Sequence, residues 1–456
     1  MQDYGKSQFS DRRRTVTTQA LNGNGKPAVT MVFSEQIRLL YGGFFVDSAF
    51  FRRNREAFYR ALPDGGFFVI WSGGASHRTA DEDFRFCPNR SFVYLTGVTD
   101  PDCALFARRS HGELIETLFV RDPDPEVEKW TGRRVTPAEA SACSGIEDVA
   151  LRSTFDAAFH KLANDTYFSD IFLCLESNRG QDRTDQNRLF HREVLEKYPS
   201  LGVRNAFPQI ASQRMIKSPE EIAAIGEAIA ITREGILRML GACRDARTEM
   251  DLFAEFMYVI HKHGAVEPAF KPIISCGENN FYLHYDTPAG RLVDGALCLV
   301  DVGASKDFCN VDISRVFPRG GVFSERQKLV YNISLEVNDE LTETIKPGML
   351  FSRIDELNRE LTFKRLKAEG LLSDPADIGK YVWHRCSHHV GFDVHDVGSY
   401  QSPIAAGMFF SMDTGIYIRE WGIGMRIEDN VLAAADGLNR VSGEIPRTVA
   451  DIEAAM

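Results

Sequence analysis

The feature that most constrains this chain is the stretch Leu297–Phe317, in which two β-rich apolar runs each carry an aspartate. The first run ends on Asp301, a polar loop containing Gly303 follows, and the second run contains Asp312. This pattern predicts two adjacent strands of a hairpin. A buried carboxylate is costly unless a positive charge meets it, so two of them across a hairpin indicate a cation site. One N-cap and one surface aspartate would explain the same stretch, and the stretch alone leaves both interpretations open.

The length and charge of the chain limit its organisation and its partners. Its 456 residues exceed one ordinary core and predict two domains, or three. The net charge of −11 argues against a nucleic-acid partner, because phosphate binding needs a basic face. No apolar run approaches the ~20 residues that span a bilayer, so no membrane partner is expected.

Residues 1–30 are predicted to form a flexible extension, because they are polar and no apolar segment follows Arg12, Arg13 and Arg14. For the same reason they do not resemble a secretory signal. The chain has nine cysteines and no C-x-x-C pair. That usage predicts mostly buried thiols and a reducing, cytoplasmic location.

Residues 31–207 alternate between helical and strand patterns, which predicts an α/β domain with a mostly parallel or mixed sheet. Asp47 or Ser48 is expected to cap a helix that runs to Ala61, and helical periodicity returns at Thr154–Leu162. The short apolar runs predicted to be strands are Phe67–Trp71, Phe92–Leu95, Ala104–Arg108, Thr117–Arg121 and Ile171–Cys174.

Residues 208–456, after a boundary near Pro208–Lys217, are predicted to form an α+β domain with helices packed on an antiparallel sheet. Capping signals predict helices that begin at Ser218, Thr248, Ser324 and Ser352. Besides the hairpin, the expected strands are Ile273–Cys276, Met408–Ser411, Ile416–Ile418 and Met425–Leu432.

A cluster of histidines lies in Trp383–Gly398, which reads WHRCSHHVGFDVHDVG. Neutral imidazole is the commonest metal ligand, so this cluster is a candidate source of ligands. A solvated polar loop is the alternative interpretation. Its histidines are His384, His388, His389 and His395.

Two further acids lie on late strand-like runs. Asp413 follows one apolar run, and Glu428 follows Arg426 at a spacing that puts both on one strand face. Each acid alone would be explained as a surface or capping residue. Together with the hairpin aspartates and the histidines they form an oxygen and nitrogen donor set. Such a set suits divalent ions such as manganese and does not suit a thiolate zinc site.

These motifs resemble the pita-bread metallopeptidases, and most of all aminopeptidase P and its relative prolidase. Ser387–His395 matches the family pattern S-H-x-x-G-x-D-x-H, and Gly422–Asp429 matches G-I-G-x-R-I-E-D. The first half resembles the N-terminal domain of aminopeptidase P. Its matching segments are Asn89–Gly97, Trp130–Arg134, Arg214 and Lys217–Ile222, and in the second half Gly277 to Tyr285 also matches.

The resemblance implies two divalent metal ions, most of all Mn²⁺, and a hydroxide activated by them. It makes His388, and not His389, the ligand within the histidine cluster. The ligand set that it implies is Asp301, Asp312, His388, Asp413 and Glu428.

The activity implied by the resemblance is hydrolysis of the bond between an N-terminal residue and a following proline. Glu428 would bridge the ions and act as general base. His284 and His395 would stabilise the oxyanion, His384 would line the proline pocket, and Arg426 would orient Glu428.

The resemblance also implies peptide substrates with proline at position two and a homo-oligomer, a dimer or tetramer, in which Trp130 approaches a neighbouring active site. The chain departs from the family where T-x-E-P-G reads Ser411–Gly415, so that Asp413 replaces glutamate and Thr414 replaces proline. Two alternatives stay open. One is a prolidase acting on Xaa-Pro dipeptides, and the other is a catalytically weakened protein with a binding or regulatory role.

Overall fold

The computed structural model describes residues 47–177 and 185–456, and the predicted extension at residues 1–30 lies outside these ranges. All described residues fall within one unit, Phe45–Met456. None of the helices in the described ranges is long and apolar enough to cross a membrane.

A mixed six-stranded sheet organises the first part of the chain. Its strands and those of a separate hairpin are β1 (Gly66–Trp71), β2 (His77–Thr79), β3 (Glu82–Asp83), β4 (Ala104–Ser110), β5 (Glu113–Val120), β6 (Val149–Leu151), β7 (Asp170–Leu173) and β8 (Gly202–Asn205). The sheet order is β6-β5-β4-β1-β7-β8, and β2 pairs with β3. Strand β1 is antiparallel to β4 and parallel to β7. The predicted mixed sheet is therefore present.

Helices surround this sheet and bury β1 along its whole length. On one side an aromatic cluster forms the core, in which Trp71 meets Phe155 edge-on at 4.7 Å between ring centroids. The helices are α1 (Ser48–Tyr59), α2 (Arg90–Thr96), α3 (Pro125–Thr131), α4 (Pro137–Ser144), the 3₁₀ turn Arg152–Thr154, α5 (Phe155–Ala163), α6 (Gln186–Lys197) and α7 (Phe207–Met215).

The predicted strand Phe92–Leu95 is wrong, because these residues form the middle of helix α2. Asn89 caps the helix by accepting a hydrogen bond from Phe92 N at 3.0 Å. Gly97 ends it in the left-handed region at φ 70°. Residues Ser91 to Thr96 are all buried, so the helix shows no polar face, and an apolar run of this length is indistinguishable from a buried strand by periodicity.

The second part of the chain has two three-stranded antiparallel sheets, with orders β13-β10-β9 and β14-β15-β16. The strands are β9 (Ile273–Cys276), β10 (Leu297–Val302), β11 (Ser305–Lys306), β12 (Cys309–Asn310), β13 (Ile313–Pro318), β14 (Phe409–Ile418), β15 (Ile423–Ala433) and β16 (Leu438–Arg440).

The helices of the second part begin close to the predicted positions. Ser218, Thr248 and Ser324 each form a capping box, whereas the Ser352 side chain makes no capping hydrogen bond. The helices and 3₁₀ turns are α8 (Pro219–Ala242), α9 (Glu249–Lys262), Gly277–Phe281, α10 (Glu325–Thr344), α11 (Arg353–Ala368), Pro375–Lys380, Arg419–Trp421 and α12 (Val449–Ala455).

Strand register brings the predicted acids together. In the hairpin, β10 pairs with β13 so that Asp301 lies opposite Ser314, and Asp312 directly precedes β13 instead of lying inside it. The two runs predicted at Met408–Ser411 and Ile416–Ile418 belong to one long strand, β14. Its register with β15 places Asp413 opposite Glu428.

Candidate metal centre

Three buried carboxylates converge where β10, β13 and β15 meet. Asp301, Asp312 and Glu428 each offer one oxygen, and these oxygens lie within 4.8 Å of one another. The exposed fractions of the three residues are 7%, 5% and 2%, respectively. Buried carboxylates at this separation repel each other strongly unless a cation lies between them.

The acids of this cluster are incompletely paired. Asp301, Asp312, Asp413 and Glu428 each keep one buried oxygen that makes no hydrogen bond within the described part of the chain. Burial, followed by the charges of neighbouring acids, raises the pKa of Asp312 and of Glu428 well above the usual range. Burial also raises the pKa of Asp413. Oxygen donors that lack partners and repel one another fit divalent cations, so these residues fit the predicted metal site.

Arg426 offsets part of the negative charge. Its Nη2 donates to Asp301 Oδ2 at 2.5 Å, and its Nε donates to Ser314 Oγ at 3.1 Å. Ser314 Oγ in turn donates to Glu428 Oε2 at 3.1 Å. Arg426 therefore fixes Asp301 directly and Glu428 through one hydroxyl.

His388 borders the acids, and backbone contacts fix its position. Its Nε2 lies 3.3 Å from Asp312 Oδ2 and 3.6 Å from Glu428 Oε1. The backbone N–H of His388 donates to Ser411 Oγ at 3.2 Å. The backbone N–H of Ser411 donates in turn to the His388 carbonyl at 2.9 Å. Burial lowers the pKa of His388, but the contacts with Glu428, the His389 carbonyl and the charge of Asp413 together outweigh burial, and the pKa is raised.

His395 stacks beside His388, with ring centroids 4.1 Å apart. Its side chain is exposed, and His395, His388 and Asp312 form a second group of donors within 4.8 Å. His389 differs from both, because it is buried and stacks on Phe351 at 4.2 Å. Burial lowers the pKa of His389 to about 4.

Asp413 and His384 lie at the edge of the cluster. Asp413 Oδ2 is 3.4 Å from His384 Nδ1, and neither residue belongs to the two groups of close donors among the described residues. Gly415 is required here, because a Cβ at this position would overlap His384 Nε2.

Tyr417 is a residue that the sequence reasoning did not assign to the site. Its hydroxyl lies 3.0 Å from His384 Nε2 and 3.4 Å from Arg426 Nη1, and its ring stacks on Trp383 at 4.6 Å. Burial raises its pKa, so the phenol is neutral. The available signal was strand spacing, which puts Tyr417 on the same face as Asp413.

His284 is exposed, on a loop in which the neighbouring Leu283 contacts Arg426. The loop is fixed by the buried carboxylate of Glu249, which accepts hydrogen bonds from Asn279 Nδ2 at 2.8 Å, from Tyr285 OH at 2.8 Å and from Gly290 N at 2.6 Å. Arg426 Nη2 also donates to the carbonyl of Leu283 at 3.3 Å.

Comparison with known proteins gives matches along most of the chain. Residues 51–172 match the family model described as aminopeptidase P, N-terminal domain, and residues 223–435 match metallopeptidase family M24. A Xaa-Pro aminopeptidase from Haemophilus influenzae is 28% identical over 89% of this chain and 96% of its own length.

Two solved structures of aminopeptidase P resemble this chain along most of its length. A candidate aminopeptidase P from Bacillus anthracis superposes with a TM-score of 0.87 at 36% identity, over 90% of this chain and 98% of the other. Zinc-substituted Escherichia coli aminopeptidase P in complex with product gives a TM-score of 0.82 at 26% identity, with the same coverage. The predicted fold, an α/β N-terminal domain followed by an α+β pita-bread domain, is therefore confirmed.

Proposed function

This chain belongs to the aminopeptidase P family of metallopeptidases, and from that premise we propose that it is a metal-dependent exopeptidase. It hydrolyses the bond between an N-terminal residue and a following proline, as the names of its relatives indicate. The observation that carries the proposal is the buried group Asp301, Asp312 and Glu428, in which the carboxylates lie close together and each keeps one oxygen without a hydrogen-bond partner among the described residues.

We propose that two divalent ions bind here, held by Asp301, Asp312, His388, Asp413 and Glu428, and that they are Mn²⁺. The donors are oxygen and nitrogen, which manganese accepts, and a zinc-substituted relative has been solved. The chemistry that such ions supply is Lewis acidity, which makes a water-derived nucleophile available near neutral pH.

In the proposed reaction Glu428 accepts a proton as general base. Ser314 binds one Glu428 oxygen, and the other oxygen has no hydrogen-bond partner among the described residues. Arg426 orients this acid through Ser314.

The histidines are proposed to bind the substrate. His395 lies beside His388, and His284 follows Leu283, whose carbonyl accepts a hydrogen bond from Arg426. We propose that both histidines reach the scissile carbonyl and stabilise its developing negative charge. His384, which is held by Tyr417 and by the carbonyl of Arg385, lines the pocket for the proline ring. An imide before proline has no N–H, so recognition depends on ring contacts and on the carbonyl.

The test of this function is hydrolysis of Xaa-Pro-Xaa tripeptides by the purified chain. Chelation should abolish turnover, and Mn²⁺ should restore it. Cleavage of Xaa-Pro dipeptides alone would indicate a prolidase. No cleavage of either peptide, with metal bound, would refute the proposed activity.

We also propose that the enzyme is a homo-oligomer of at least two chains. Trp130 is 90% exposed near the end of α3, a helix with no buried residue. An aromatic side chain this exposed is typical of a protein interface. Light scattering that gives a monomer with full activity would contradict this.

A cytoplasmic location is proposed from the cysteines. All nine lie within the described ranges, and all are free thiols. Free, mostly buried thiols are typical of a reducing compartment. Cell fractionation of the native protein would test this location.

A further inference from the structure

Two buried cations lie beneath the loop that carries His395. Arg214 is in the last turn of helix α7, and Lys217 follows that helix, with exposed fractions of 0% and 6%. Both residues belong to a motif that stands out in the sequence, and the proposed reaction gives neither of them a role. A buried cation is retained only where an anion pairs with it.

The anions that pair with them flank His395 on both sides. Arg214 Nη2 donates to Asp393 Oδ2 at 3.1 Å and to Asp396 Oδ1 at 2.5 Å. Lys217 Nζ donates to Asp396 Oδ2 at 3.1 Å. We call Arg214, Lys217, Asp393 and Asp396 the clamp.

The clamp holds a loop that is not part of a helix or a strand. Residues 391–395 lie in neither a helix nor a strand, and backbone hydrogen bonds from Asp396 N to the His389 carbonyl at 2.8 Å and from Gly391 N to the Asp393 carbonyl at 2.9 Å flank His395. Gly391 makes room for the clamp, because a Cβ at this position would overlap both Asp396 Oδ2 and Lys217 Nζ. Arg90 Nε binds the second oxygen of Asp393 at 3.2 Å. Burial opposes the ionisation of Asp396, yet the charges of Arg214 and Lys217 hold its pKa below the usual range.

We propose that Arg214 and Lys217 are positioning residues, which hold His395 beside His388 at the metal centre through Asp393 and Asp396. The inference rests on the proposed function, because it assigns residues to the same reaction. Misplacing a catalytic group by about 1 Å costs up to ~10²-fold in rate. Loss of the clamp should therefore lower kcat and leave the metal ligands in place, because Ser411, which lies outside the clamp, binds the backbone of His388.

The experiment is a double-mutant cycle between Arg214→Met and His395→Ala, measured on a metal-loaded protein with a Xaa-Pro-Xaa tripeptide. With His395 present, Arg214→Met should lower kcat about 10- to 100-fold. KM and bound metal should change little. In the His395→Ala background the same substitution should have no further effect, because coupled residues are non-additive. An equal loss in both backgrounds, or loss of metal, would overturn the proposal.

The matched control is Arg55→Met. Arg55 is 1% exposed, and its partners, Glu116 and the carbonyls of Leu95 and Ser144, lie far from the histidine loop in sequence. This variant should lose stability and keep kcat. If Arg214→Met does not fold, Lys217→Met enters the same cycle, since it leaves both Arg214 ion pairs intact.

A readout without turnover separates this inference from the proposed function. The imidazole NMR signals of His395, assigned with His395→Ala in metal-free protein, should shift in Arg214→Met and stay unchanged in Arg55→Met. Unchanged signals in Arg214→Met would refute the clamp. A native protein that cleaves no Xaa-Pro peptide would instead refute the proposed function and leave the result of the NMR comparison intact.

Discussion

Asp413 is a member of the predicted ligand set, but it lies outside both groups of close donors at the metal centre. Replacing Asp413 by glutamate lengthens its side chain by one methylene. Two donors on one ion at ~2.1 Å are at most about 4.2 Å apart. Among the described residues, Asp413 shares no 4.8 Å group with two other donors. At least one separation between Asp413 and the other donors is therefore longer than one shared ion allows. One methylene adds about 1.5 Å of reach toward the other donors.

We therefore expect Asp413→Glu to bind metal more tightly at the site next to His388. The expected gain is about tenfold in affinity, which corresponds to ~1.4 kcal/mol. In the native protein this site should be the weaker of the two and partly empty unless metal is added. Hydrolysis of Xaa-Pro peptides by Asp413→Glu should then be faster at limiting metal.

The assay is a titration of metal-free protein with Mn²⁺, in which bound metal and tripeptide hydrolysis are followed together. Asp436→Glu is the matched control, because it adds the same methylene to an exposed loop residue. Two fully occupied sites of equal affinity in the native protein would refute the argument. Unchanged occupancy with lower activity in Asp413→Glu would show instead that the site is built around aspartate.

Three other outcomes are expected. His388→Ala should lose metal, whereas His395→Ala should keep metal and lower the rate about 10²- to 10³-fold, as loss of one transition-state donor does. Metal analysis and kinetics on both variants check this, and equal metal loss would contradict the ligand assignment. Phe159→Ala, in the aromatic core of the first part, should cost about 3–5 kcal/mol of unfolding free energy in a urea titration. The pKa of His389 is lowered to about 4 by burial, so the folded state binds fewer protons than the unfolded state between that pH and the ordinary value of ~6.5. In metal-free protein, acidification from pH 7 to 4 should therefore cost the native chain up to ~3 kcal/mol relative to His389→Phe, and parallel pH curves would exclude this effect.

Much of the centre could be predicted from sequence because its residues sit in short motifs on regular strands. Period-two spacing places Arg426 and Glu428 on one face, and hairpin pairing brings Asp301 toward Asp312. Residues of helix α2 were predicted to form a strand, because they read as a continuous apolar run. Complete burial removed the polar face by which a helix is recognised.

The clamp could not be predicted, because its partners are distant in sequence. Arg214 and Asp396 carry no local pattern that links them, and their ion pair exists only because α7 packs beneath the histidine loop. The role of Tyr417 could not be predicted for a different reason. Its strand position was visible, but its hydroxyl contacts depend on where His384 and Arg426 point.

The reach of Asp413 depends on the backbone of β14, which a spacing pattern does not reveal. Helix α10 binds the carbonyls on both sides of Asp413: Asn338 Nδ2 donates to the Met412 carbonyl at 2.8 Å, and Ser334 Oγ donates to the Thr414 carbonyl at 2.7 Å. Thr414, which replaces the family proline, adds a third bond from its hydroxyl to the Ser334 carbonyl at 3.1 Å. Movement of β14 toward the metal centre would break these buried hydrogen bonds, at about 1–3 kcal/mol for each group left unpaired. A shift of strand β14 is therefore a costly way to compensate for the missing methylene. We expect instead that the ion lies closer to Asp413 or that the contact between Asp413 and the ion is weaker.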